Sequence, residues 1–189
     1  METPNTYPVR LNINYPEKLD KLSSFFRIFY AIPIVIVLSC IPESLFPAVL
    51  LMILFRRKYP KWWFDWNLEL LKFSYRVGAY LLLLRDEYPS TDEEQAVHLE
   101  IDYPDVKEDL NRWLPLVKWL LALPHYIILS LLYIAVLVCW IIAWFSILFT
   151  GKYPKSIFEF IAGVLRWEVR VVGYAVMLIT DQYPPFSTR

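Results

Sequence analysis

The sequence predicts a mainly α-helical integral membrane protein built from two tandem repeats. Three observations carry this. The stretch Leu114–Phe149 holds one formal charge, Lys118, and one histidine, His125, and nothing from Tyr126 to Phe149 is charged. A run of about 18 or more apolar residues reads as a membrane segment. The same order of short motifs occurs twice along the chain. The composition is 57% hydrophobic with a mean hydropathy of +0.38.

Aromatics make up 17% of the 189 residues, enough for belts of Trp and Tyr at a membrane–water interface. Formal net charge is zero, so no overall basic field recruits nucleic acid. Cys40 and Cys139 both lie in apolar stretches without metal-ligand spacing and read as small buried hydrophobes. The polar start, Met1–Asn14, lacks the pattern of a cleaved signal, so the first apolar segment is expected to act as its own insertion signal.

The internal match begins with Val9–Pro16 against Val97–Pro104. Ala31-Ile-Pro33 then matches Ala122-Leu-Pro124, Lys58-Tyr-Pro-Lys61 matches Lys152-Tyr-Pro-Lys155, Arg76 matches Arg170, and Asp86–Pro89 matches Asp181–Pro184. One order shared twice divides the chain into repeats near 1–95 and 96–189, joined by the acidic linker Ser90–Glu94. Tyr-Pro punctuates both, at Tyr7, Tyr15, Tyr59, Tyr88, Tyr103, Tyr153 and Tyr183. Proline drives the residue before it out of helical geometry, and tyrosine favours the headgroup layer. Each pair is therefore expected to mark a chain reversal at the membrane surface.

Each repeat reads as four pieces. A short strand comes first: Val9, Leu11 and Ile13 alternate with polar residues, as do Val97, Leu99 and Ile101. An isolated strand is unstable, so the two pair with each other or with another subunit. An interfacial lead-in helix follows, with Leu19, Leu22, Phe26 and Phe29 on one face in the first repeat and Val106, Leu110, Trp113 and Val117 in the second. Third is a long apolar segment, Ile28–Phe55 or Leu114–Phe149, read as a hairpin or a kinked span. Pro42, Glu43 and Pro47 break the first, either as a hairpin apex or as a kink with Glu43 facing protein. His125 reads as a satisfied histidine near the interface.

The fourth piece is an amphipathic helix with a charged stripe. Asp65, Glu69, Lys72 and Arg76 are spaced four, three and four and so share one helical face; Glu159, Arg166 and Arg170 occupy the corresponding places, with Gly163 replacing the Glu69 partner. A charge at the centre of a lipid-exposed helix costs about 2.5–3.5 kcal/mol. These helices therefore lie at the interface or bury the stripe against protein, and the spacing lets opposite charges pair within the helix. Basic clusters flank both loops: Arg56, Arg57, Lys58 and Lys61, then Lys152 and Lys155. They are candidate contacts for lipid headgroups. Hairpins would set every basic cluster on the cytoplasmic side; full spans would divide them between compartments.

The second half carries Val117-Lys-Trp-Leu-Leu-Ala-Leu-Pro-His-Tyr-Ile-Ile-Leu129, Ala143-Trp-Phe-Ser-Ile-Leu-Phe-Thr-Gly-Lys-Tyr-Pro154, Gly163-Val-Leu-Arg-Trp167 and Asp181-Gln-Tyr-Pro-Pro-Phe186. On these runs the chain resembles a prokaryotic membrane-protein family, domain-of-unknown-function family 4389. The first half departs from the pattern: it has no histidine after Pro33 and no Thr-Gly before its basic loop. The resemblance implies a small integral protein of a bacterial or archaeal cytoplasmic membrane and brings no catalytic residue or cofactor.

No nucleophile elbow, phosphate-cradling glycine loop or His/Cys/Asp ligand cluster is present in the sequence. The expected function is a non-enzymatic structural or accessory subunit of a membrane assembly, needing no cofactor. Its partners are lipids and either further copies of itself or the subunits of a larger complex. A homo-oligomeric channel or transporter lined by the charged stripes, and a lipid-binding protein, are the alternatives.

Overall fold

The computed structural model describes residues 7–40, 45–91 and 93–189. The expected break at Pro42 and Glu43 lies outside them. The elements, in order, are β1 (Val9–Ile13), α1 (Lys21–Cys40), α2 (Leu45–Leu51) running into a π-helical turn (Met52–Arg56), α3 (Lys61–Leu81), β2 (Val97–Ile101), α4 (Pro115–Leu121), α5 (Leu123–Thr150) and α6 (Lys155–Ala175). The protein is mainly helical, and α1 and α5 are each long and apolar enough to cross a membrane.

The strands pair with each other, antiparallel, with Leu11 opposite Leu99 and Val9 opposite Ile101. Their alternation works as read: Val9, Leu11, Ile13, Val97, Leu99 and Ile101 are buried, and Arg10, Glu100 and Asp102 form an ion-paired cluster on the outer face. Beneath the ribbon the halves cross over. β1 packs on α6 and β2 on α3, while α1 contacts α3 and α5, and α5 contacts α6. The result is three layers: ribbon, then α3 and α6, then α1 and α5.

Two expectations change. The lead-in helices are not separate elements. Asp20 caps α1 by accepting the Ser23 N–H at 2.6 Å, so Leu22, Phe26 and Phe29 belong to the first turns of the apolar helix and face outward. In the second half Asp105 and Asn111 draw backbone N–H groups of Lys107 and Trp113 into local turns, which leaves only α4 as a helix before Leu123. The second apolar segment also does not fold back on itself, because α5 runs unbroken for 28 residues. Its Pro124 sits in the first turn, where a missing N–H is harmless.

Gly173 on α6 is where β1 approaches: a Cβ there would stand 2.7 Å from a Val9 methyl carbon. Gly78 on α3 has nothing within 4 Å of that position. Gly173→Ala is therefore expected to lower stability by about 1–3 kcal/mol through overpacking, and Gly78→Ala to raise it by about 0.5–1 kcal/mol through helix propensity. Thermal unfolding of the two variants in detergent micelles, followed by circular dichroism, checks the opposite signs.

Candidate functional site

Two buried cations sit where the apolar helices begin. Arg27, in the second turn of α1, is 1% exposed. Its guanidinium lies 4.2 Å over the Tyr80 ring, donates to the carbonyls of Tyr80 at 3.2 Å and Arg85 at 2.5 Å, and pairs with Asp86. The other Asp86 oxygen accepts the Asp20 N–H at 2.6 Å. Lys118 on α4 is fully buried and lies 5.1 Å from the Tyr174 ring. Its ammonium donates to the Thr180 carbonyl at 2.7 Å and lies 2.7 Å from Asp181 Oδ1, while Asp181 Oδ2 accepts the Asn111 N–H at 2.5 Å. The two sites share one design: cation, carboxylate, tyrosine face, backbone carbonyl and a carboxylate-capped chain entry. Burial pushes Lys118 below its ordinary value of 10.5, against the pull of Asp181.

Each carboxylate is delivered by a sharp turn after the striped helix. Leu83 (φ 62°) and Leu178 (φ 57°) both adopt the left-handed region, and both side chains are fully buried. A non-glycine residue there costs about 1 kcal/mol or more, which burial of a leucine side chain offsets by about 2 kcal/mol. Glycine would relax the turn and leave a hole.

The charged stripes divide into outer pairs and inner clamps. Lys61 pairs with Asp65, Lys72 with Glu69 at 2.7 Å, and Arg166 with Glu159 at 3.4 Å. Arg76 donates to the Ser90 carbonyl at 2.8 Å; Arg170, almost fully buried, donates to the Ser187 carbonyl, and Arg166 to that of Thr188 at 3.2 Å. Both stripes thus tie down the segment that follows their helix. Asp65, Glu69 and Glu159 stay toward the outside. Glu168, off the stripe, accepts the Tyr133 hydroxyl at 2.5 Å across α5 and α6, and burial raises its carboxyl above the usual range.

Among the basic-loop residues, Arg56, Arg57, Lys58, Lys152 and Lys155 are exposed and Lys61 is engaged with Asp65. The structure does not gather them. Tyr153 donates to the Leu82 carbonyl at 3.3 Å, at the C-terminal end of α3, whereas Lys58–Lys61 lead into its N-terminus, and a 21-residue helix is about 30 Å long. Beneath each loop the Tyr-Pro tyrosine is buried rather than set among headgroups. Tyr103 donates to the Tyr59 carbonyl and Tyr15 to the Tyr153 carbonyl at 2.5 Å. Phe64 lies edge-on between Tyr59 and Tyr103, and Phe158 between Tyr153 and Tyr15. The residue before a proline is extended, its carbonyl is left outside the helix ladder, and a phenol from the other half satisfies it. His125 is a packed core histidine, its Nδ1 accepting the Trp167 indole N–H at 3.0 Å and its ring stacked 4.0 Å from Phe186.

Among the described residues no group of three His, Cys, Asp or Glu side chains is placed to hold a metal ion. The family model described as Domain of unknown function (DUF4389) matches residues 21–91 and 113–188, and the chain belongs to that family. No curated protein and no solved structure matches it.

Arg27, Asp86, Lys118, Asp181 and Glu168 are not among the candidate site residues that the sequence offers. The signal for four of them was the internal match itself, which aligns Asp86 with Asp181 and sets Arg27 and Lys118 at equivalent places, each four residues before the matched Ala31 or Ala122. Removing one partner of a buried pair strands the other. Lys118→Met and Asp181→Asn are each expected to cost about 3 kcal/mol, and the double variant about 1–3 kcal/mol less than their sum. Chemical unfolding of the four proteins in micelles measures the coupling; strict additivity rejects the lock.

Proposed function

We propose that the protein is a non-enzymatic integral membrane protein of the prokaryotic cytoplasmic membrane, built by duplication of a unit near 1–95 and 96–189, that serves as a structural or accessory subunit. The observation that carries this reading is the separation of its surfaces. On α5 only a narrow stripe, with His125, Leu129, Val136, Ala143 and Ile147, is buried; half-buried residues such as Leu132, Trp140 and Trp144 flank it, and the remaining face is exposed and mostly apolar. α1 is likewise exposed along Leu22, Phe25, Phe29, Ile32 and Ile36. Such a surface exceeds what a water-soluble monomer leaves uncovered. On the opposite layer the ribbon presents Arg10, Glu100 and Asp102.

The ribbon runs along the same axis as α1 and α5. Tyr7, before β1, reaches the Arg170 and Gln182 carbonyls, and Tyr15, after it, reaches the Tyr153 loop. If the long helices stood upright, this charged face would sit at bilayer mid-depth, where the carboxylate in excess of Arg10 would cost about 2.5–3.5 kcal/mol. We therefore take α1 and α5 to lie side-on in one leaflet, with the ribbon in water and both basic loops on the cytoplasmic surface. The twin Arg27–Asp86 and Lys118–Asp181 locks support the duplication. They are closed, leaving the protein a rigid slab suited to scaffolding lipid and partner subunits.

The same ribbon favours one second reading. Copies standing upright could turn their ribbons toward a shared water-filled axis and form a pore or carrier. Single cysteines at Lys58 and Lys152, in a chain with Cys40 and Cys139 replaced by serine, separate the two. The side-on reading expects an impermeant thiol reagent to modify both from the same face of sealed vesicles. Modification from opposite faces overturns it in favour of the upright assembly.

A further inference from the structure

Most cations near the helix ends are engaged: Arg27 and Lys118 with carboxylates, Arg76, Arg112 and Arg170 with backbone carbonyls. Arg57, Lys58 and Lys107 are free among the described residues, as Arg56, Lys152 and Lys155 are, but the first three share one cavity. Among the described residues their side chains have no hydrogen-bond or ion-pair partner, and all three line one cavity of about 510 Å³ between the first basic loop and the Tyr103-Pro104 turn. That volume suits a small ligand or headgroup, for which sites run from about 300 to 1,000 Å³. Asp105 is the one acid in the lining, and its Oδ1 is occupied by the Lys107 N–H at 2.9 Å and the Glu108 N–H at 3.3 Å. The cavity is therefore net cationic and ready for an anion.

A second observation is independent of the cavity. After its apolar helix the second half turns at Gly151, φ 72°, whose N–H bonds the Ile147 carbonyl at 2.7 Å. The first half makes the same left-handed turn with Arg57, φ 47°, bonding the Ile53 carbonyl at 3.1 Å. Arginine is strained in a place where glycine is at ease, and its guanidinium is one of the three cationic groups that line the cavity. The surroundings set the depth. Phe55, Trp62 and Trp113 are all exposed close by in the chain, the aromatic and apolar composition of a membrane interface.

We propose that this cavity binds the phosphate of an anionic phospholipid headgroup, with Arg57 gripping it bidentately and Lys58 and Lys107 closing on its charge. This rests on the membrane reading above and adds the lipid class to it. The phosphodiester of a lipid and free phosphate share this chemistry, and the test separates them.

Full-length protein is reconstituted in phosphatidylcholine nanodiscs doped with phosphatidylglycerol, and the lipids it retains on release are counted by native mass spectrometry. Wild type is expected to retain phosphatidylglycerol in preference to phosphatidylcholine. The R57Q/K58Q/K107Q variant is expected to lose that preference by about tenfold or more, while K152Q/K155Q keeps it. Arg57→Gly is expected to raise the unfolding temperature and yet reduce retention, an opposition that a purely structural role would not produce. Equal retention by wild type and the triple variant overturns the proposal. So does saturable binding of inorganic phosphate alone that displaces no lipid, which would mark a site for a soluble anion. Carbonate extraction of native membranes tests the membrane reading separately. Protein that stays in the pellet but shows no headgroup preference defeats only this site.

Discussion

A cation carried into a protein interior on an apolar helix has to be neutralised where it comes to rest. Arg27 and Lys118 impose that constraint at the start of α1 and at α4, and much of the architecture answers it. Asp86 and Asp181 reach the cations only because the chain reverses at Leu83 and Leu178. The reversals in turn require that α3 and α6 end beside the places where the apolar helices begin. The carboxylates also cap the incoming chain through the Asp20 and Asn111 N–H groups, so one pair of oxygens fixes an entry, an exit and a charge together.

A second constraint is exchange between the halves. The first strand lies on the last helix, the second strand on α3, and each buried loop tyrosine has its carbonyl satisfied by a phenol from the other half. Edge-to-face aromatic contacts through Phe64 and Phe158 reinforce those phenol bonds, each worth about 0.5–1.5 kcal/mol beyond burial. Hydrogen bonds of this kind are worth most when their loss would leave a buried carbonyl unpaired. The halves are therefore held by groups that neither could satisfy alone.

Much of this was legible in the residues. Alternation in Val9–Ile13 and Val97–Ile101 announced strands with one buried face, and the uncharged run after Tyr126 announced α5. The charge stripe from Asp65 to Arg76 was readable as one helical face, but not its split into outer pairs and inner clamps. That split depends on Ser90, Ser187 and Thr188 returning over the helices, a tertiary event that helical spacing cannot encode. The locks were harder still. Arg27 and Lys118 look like ordinary flanking charges until Asp86 and Asp181 are brought to them across 59 and 63 positions of chain. The lead-in helices were misread because amphipathic periodicity says nothing of where a capping aspartate or an Asx turn will cut it. Tyr-Pro was misread in part because burial of Tyr59 and Tyr153 is set by the opposite half.

The crossing of β1 onto α6 also governs the order of events during synthesis. Tyr7 finds its carbonyl at Arg170, 163 positions downstream, so the opening strand emerges long before its resting place exists. β2 can pair with its edge once Ile101 is made, but its apolar face stays uncovered until α6 follows. Maturation of this fold is thus a late closure, in which the ribbon docks only after α6 is made, and contacts so distant in sequence make that closure slow.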